Sequence, residues 1–193
     1  MSELRFDSVE HKYYYDNCEV PSVSTILGGI DFDNLPQSVI SKITYAAERG
    51  TRVHNYIEAI NRNYDRLEPD SDIKPYIDQY MFFLIDNENY ASIQSETKVC
   101  SVCSNIPEDL KAYPFAGTVD DICVFGKEKA VIDFKTSSTI KKRHRLQIGA
   151  YMLLTGINKG YILHLKKDGY TLKEVPVKYK DMFIEKLKEY YEI

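Results

Sequence analysis

FAGTVDDICVFGKEKAVIDFKTSSTIKKRHRLQIGAYMLL, residues 115–154, is the stretch that decides how this chain folds. Its apolar runs Phe115–Phe125 and Ala130–Phe134 flank Gly126-Lys127-Glu128, which predicts two antiparallel strands joined by a tight turn. A helix from about Ile140 to Leu154 follows and ends near Gly156. Asp120 sits on the first strand, and Asp133 closes the second after Ala130-Val131-Ile132. Paired strands bring two such carboxylates side by side, and a divalent cation is the usual remedy for their repulsion. Lys135 lies two residues beyond Asp133 and projects from the same strand face. One strand edge then presents metal ligands beside an ammonium group. Phosphodiester hydrolysis uses that combination, because a metal acidifies water and neutralises charge on phosphorus while the lysine positions the water or the phosphate. A D-x-K triplet alone is common, so its weight comes from its neighbours. Gln147 and Tyr151, four residues apart, share one face of the following helix.

Upstream, RFDSVEHKYYYDNCEVPSVSTIL reads as two short strands around an Asp16-Asn17 turn. A helix is expected from Gln37 to Glu48. Gly50 then interrupts, and Thr51 caps a second helix to about Asn63. Ser71 caps a third from Asp72 to about Asn87, with Pro75 in its first turn. His54 falls in the first turn of the second of these helices, and Glu96 lies in a strand spanning Ser92–Cys100. Downstream, Tyr161–Lys166 and Tyr170–Val177 form a hairpin around Asp168-Gly169, and an amphipathic helix covers roughly Lys180–Tyr190. Helices, three strands, a helix, two strands and a helix make an α/β or α+β arrangement around one mixed sheet. No linker or repeat breaks it. One domain over 1–193 is expected, with a hairpin and helical part over 1–90 and a sheet core over 91–193.

Of the 193 residues, 44% are hydrophobic and 28% charged, and no window approaches a membrane span. The charged start MSELRFDSVEHK lacks a secretory signal, so a cytoplasmic location is expected. Cys18, Cys100, Cys103 and Cys123 then read as free thiols. The net charge of −4 does not favour nucleic acid as a whole, yet Lys135 to Arg145 is a basic run without an acid.

The ordered set R-G-T-R-V-H, G-T-V-D, I-D-F-K-T and Q-x-x-x-Y, from Gly50 to Tyr151, resembles the RecB-type branch of the PD-(D/E)XK nucleases. The opening P-S-V-S-T-I-L resembles the start of phage-encoded and mitochondrial genome maintenance-type exonucleases. The resemblance implies a restriction-endonuclease-like core, a central mixed sheet flanked by helices with an N-terminal helical part. It implies metal ligation by His54, Asp120, Asp133 and the backbone carbonyl of Phe134, with Lys135 catalytic and Glu96 a matching strand acid. Gln147 would order water or phosphate, and Tyr151 would touch DNA or buttress the helix. Asp121 competes with Asp120 from the opposite strand face, and the spacing from Gly117 favours Asp120. Mg²⁺ or Mn²⁺ is the expected cofactor. An iron–sulfur cluster is not expected, since no cysteine follows Cys123.

DNA, with single-stranded ends favoured, is the expected partner. Arg49, Arg52, Lys141, Lys142, Arg143 and Arg145 are candidate phosphate contacts, as are the hydroxyls of Ser22, Ser24 and Thr25. The expected activity is a metal-dependent DNA exonuclease, located in the host cytoplasm if phage-encoded. A catalytically silent DNA-binding module and a structure-specific endonuclease are the alternatives. Alanine at Asp133 or Lys135 is expected to abolish cleavage and leave folding nearly intact.

Overall fold

Period-two alternation around Val131 places successive side chains on opposite faces of a strand, and helices cover both of those faces. The computed structural model describes residues 3–29, 32–33, 35–65 and 68–192. Its first half contains β1 (Leu4–Asp7), β2 (Lys12–Tyr15), β3 (Cys18–Val20), α1 (Val23–Ile26), α2 (Gln37–Asn61) and α3 (Lys74–Asp86). The second half contains β4 (Tyr90–Cys100), α4 (Glu108–Lys111), β5 (Ala116–Phe125), β6 (Glu128–Lys135), α5 (Lys142–Thr155), β7 (Gly160–Leu165), β8 (Tyr170–Glu174) and α6 (Lys178–Tyr191). The main sheet has the order β4-β5-β6-β7-β8. Among the described strands of this sheet, only β6 and β7 pair with each other in parallel, as a strand–helix–strand crossover through α5 requires. A mixed sheet flanked by helices is therefore the architecture, as expected of a restriction-endonuclease-like core.

On one sheet face Val131 and Ile162 pack with Ile148 and Met152 of α5 and Phe183 and Leu187 of α6. On the other, Ile132, Phe134, Leu163 and Leu165 pack with Val53 and Ile57 of α2 and Tyr80 and Phe83 of α3. The same alternation sends Asp133 toward α5 and Phe134 toward α2. Helix α5 comes close to α6 because residue 149 is glycine. A Cβ there would lie 2.2 Å from the carbonyl oxygen of Tyr179. Gly149→Ala is expected to lower stability by roughly 1–3 kcal/mol by forcing the helices apart, measured as the shift in a denaturant midpoint.

Three local expectations change. The break at Gly50 is absent, and α2 is one helix of 25 residues. A helical glycine costs only about 1 kcal/mol relative to alanine, which the burial of Val53 and Ile57 offsets. Thr51 does not cap; its hydroxyl donates to the Ala47 carbonyl inside the helix. Helix α3 begins later than expected, after Ile73, with no side-chain cap from Ser71. The N-terminal hairpin is three-stranded. Asp16 (φ 49°) and Asn17 (φ 64°) make its expected turn, and β1 joins through a second turn in which His11 also adopts positive φ.

Candidate metal centre

Register brings the acids together. Asp121 pairs with Ile132, so one further step puts Asp120 opposite Asp133 at the sheet end. Asp121 points the other way. It is fully buried and accepts hydrogen bonds from Tyr90 Oη (2.7 Å), Ser92 Oγ (2.5 Å) and Ser95 Oγ (3.0 Å). Burial raises its pKa to about 6 although these donors oppose the shift. Asp120 instead meets His54 from α2, with Nδ1 lying 3.5 Å from Asp120 Oδ2. Ligand-capable atoms of His54, Glu96 and Asp120 all lie within 4.8 Å of one another.

The backbone sets the histidine tautomer. His54 Nε2 is 2.8 Å from the Phe134 carbonyl, which can only accept, so Nε2 carries the proton. In the neutral ring Nδ1 then turns a lone pair toward a carboxylate oxygen. Two acceptors facing each other fit a cation between them. The Phe134 carbonyl, expected as a metal ligand, orients His54 in this arrangement, while the Phe134 amide donates to Asp120 Oδ2 at 2.7 Å.

Glu96 reaches the group through an unusual backbone. It follows an irregularity in β4 between Ser92 and Gln94 and has φ 51°, a left-handed conformation that glutamate rarely adopts. Burial, then the charges of Asp120 and Glu58, push its carboxyl up to about 8. Asp133 is wholly buried, and burial also raises its carboxyl, with Lys135 pulling it down and Asp120 pushing it up. Lys135 Nζ lies 2.6 Å from both Asp133 oxygens, hydrogen-bonded to Oδ1, while Oδ2 has no hydrogen bond. Burial lowers the Lys135 pKa, but Asp133 and Asp120 outweigh it and hold the ammonium charged. Crowded carboxyls resisting ionisation and a histidine ring nitrogen facing a carboxylate oxygen form a donor set that fits a divalent cation.

The surroundings divide the remaining candidates. Tyr151 is buried, and its hydroxyl accepts from Gln147 Nε2 at 2.9 Å. Burial first, then the charges of Asp120 and Asp133, raise its pKa. Gly117 makes room for the Tyr151 ring, since a Cβ there would lie 2.8 Å from it. Arg143 is half-buried and its charge works against that of Lys135, whereas Lys141 and Lys142 are exposed. Arg52 is not brought to the cluster. It pairs with Asp70 at 3.0 Å and with Asp72, and Arg49 lies over the Tyr76 ring at 4.9 Å. The Ser22 and Thr25 hydroxyls are used within α1, where Ser22 Oγ accepts from the Thr25 amide. Glu58 was passed over in the sequence. It lies one turn beyond His54 on α2 and pairs with Arg62 at 2.9 Å, and the i, i+4 spacing was its legible signal.

No described sequence family and no curated protein matches the chain. Among solved structures it is similar to SSO0001, with a TM-score of 0.39 and 18% identity over 61% of this chain; the match spans 55% of SSO0001. It is also similar to the alkaline exonuclease LHK-Exo from Laribacter hongkongensis, with a TM-score of 0.48, 10% identity, and coverage of 90% of this chain and 86% of that one. LHK-Exo in complex with dAMP gives a TM-score of 0.43, 12% identity, and coverage of 88% and 83%. Among the described residues, no helix is long and apolar enough to cross a membrane.

Proposed function

We propose that the chain is a metal-dependent DNA nuclease, a single domain over residues 1–193 of the RecB-type PD-(D/E)XK kind, acting as an exonuclease on single-stranded ends. The convergence of His54, Glu96 and Asp120 beside the buried Asp133–Lys135 pair carries this reading. His54 through Nδ1, Glu96, Asp120 and Asp133 would hold Mg²⁺ or Mn²⁺, the imidazole favouring Mn²⁺. A bound ion supplies acidification of water and neutralisation of charge on the phosphate. Lys135, kept protonated by Asp133, donates to a phosphate oxygen or orients the attacking water. Gln147 and Tyr151 hold the helix face that closes the site, and Arg143 adds positive charge next to Lys135. Lys141, Lys142 and Arg145 would extend that charge along the strand's path. The exonuclease mode and the phage-type kinship rest on the sequence resemblance.

Mn²⁺ and Mg²⁺ titrations with end-labelled single-stranded, double-stranded and circular DNA test the proposal. Mononucleotides released from linear single strands are expected, and Asp120→Asn is expected to reduce the rate at least about 100-fold. DNA binding without metal-dependent products would favour a silent binding module, and cleavage of circles an endonuclease.

A further inference from the structure

Of the proposed ligands, Glu96 is the one whose position local structure explains least. A glutamate keeps a φ of 51° only where its surroundings over-determine it. The ladder pairs Ser95 with Asp121 and Thr97 with Val119, which sets Glu96 opposite Asp120. That ladder is interrupted just upstream, between Ser92 and Gln94, so strand pairing alone does not fix the segment.

Ser95, the residue before Glu96, is buried and held through both its hydroxyl and its carbonyl. The hydroxyl donates to Asp121 Oδ1 at 3.0 Å and accepts from Asn61 Nδ2 at 3.1 Å. The carbonyl accepts from Arg62 Nη2 at 2.7 Å. The holders are themselves fixed. Asp121 also accepts from Tyr90 and Ser92, and Asn61 Oδ1 accepts from Tyr80 Oη. Arg62 pairs with Glu58 and lies over the Tyr64 ring. A satisfied buried network of this kind specifies one arrangement. Asn61 ends α2 and lies seven residues beyond His54, on the same helix face. The helix that supplies the imidazole thus also grips the peptide that leads into Glu96.

We propose that Ser95 is a positioning residue of the metal centre. Its hydroxyl, tied to Asp121 and Asn61, fixes the backbone that brings Glu96 to Asp120 and His54. The inference rests on the metal site proposed above, and Ser95 acts there only through Glu96.

Calorimetric Mn²⁺ titration of wild type, Ser95→Ala, Glu96→Ala and the double variant tests it, since such a cycle isolates what passes between the two residues. Ser95→Ala leaves every charge in place and is expected to bind Mn²⁺ about tenfold more weakly. Ser95→Thr, which keeps the hydroxyl, is expected to bind like wild type. With Glu96 already alanine no carboxylate remains to be positioned, so the double variant is expected to bind as Glu96→Ala does. Wild-type affinity in Ser95→Ala overturns the proposal, as does a threonine variant as weak as alanine or absence of Mn²⁺ binding by wild type. Losses that multiply in the double variant also overturn it, because they would mark a general loosening of the fold. Should Ser95→Ala not fold, Ser95→Cys, close in shape and a weaker donor, takes its place in the cycle. Coupled losses with no Mn²⁺-dependent DNA cleavage by wild type overturn the nuclease reading alone and leave the role of Ser95 standing.

Discussion

Lys135→Ala is expected to lose cleavage by about 10²–10³-fold and, in addition, to fold less stably as pH rises. The second effect follows from Asp133, which is fully buried with Lys135 as its ionic partner. Removing one member of a buried ion pair costs about 3–5 kcal/mol when the other stays charged. Asp133 can escape that cost by taking up a proton. Burial already raises its pKa in the folded protein, and loss of Lys135 removes the influence that holds it down. A carboxyl whose folded pKa exceeds its unfolded value leaves stability intact at low pH and subtracts from it as pH climbs toward the folded pKa. The gap in unfolding midpoint between wild type and Lys135→Ala should therefore be small near pH 5 and widen toward pH 8. Denaturant titrations at both values, without metal, measure it. A gap independent of pH would show that Asp133 is not the source. Burial of this pair replaces the sequence-based expectation that alanine at Lys135 spares folding.

Glu96→Gly should move stability and function in opposite directions. Glutamate at φ 51° occupies a backbone region that glycine enters freely, a difference of about 1 kcal/mol. The carboxyl is also buried beside Asp120 and Glu58, which push its pKa up to about 8. Glycine removes both penalties, so the metal-free variant is expected to be about 1 kcal/mol more stable than wild type. Mn²⁺ affinity should fall at least about tenfold, since altering even the partners of metal ligands has that effect, and cleavage should fall with it. Glu96→Gln keeps the strained backbone and relieves only the charge, so it should gain less stability than glycine. A glycine variant less stable than wild type would mean that Glu96 braces the fold and does not store strain for the site.

Asp120, Asp133 and Lys135 were legible because strand alternation and a tight turn translate directly into facing side chains. His54 was found through the ordered motifs, 80 residues from the Phe134 carbonyl it touches. Glu96 could be named but not placed, since a strand irregularity and a positive φ leave no periodic trace. Continuity of α2 through Gly50 was hidden because tertiary burial, not local propensity, decides it. Arg49 and Arg52 had the right charge at the right place in the chain, but Asp70, Asp72 and Tyr76 take them up, and no local pattern announces such distant partners.

The wide separation in the chain between helix α2 and strand β6 has a thermodynamic corollary. Whatever cation grips His54 together with the sheet acids spans the two halves of the polypeptide and behaves as a reversible cross-link. It is favoured only when the helix is seated against the sheet, so its concentration sets how tightly the halves are held. On the proposed reading, the ion that serves cleavage would also help to seat α2, and stripping it would loosen that seat before it disturbed the sheet.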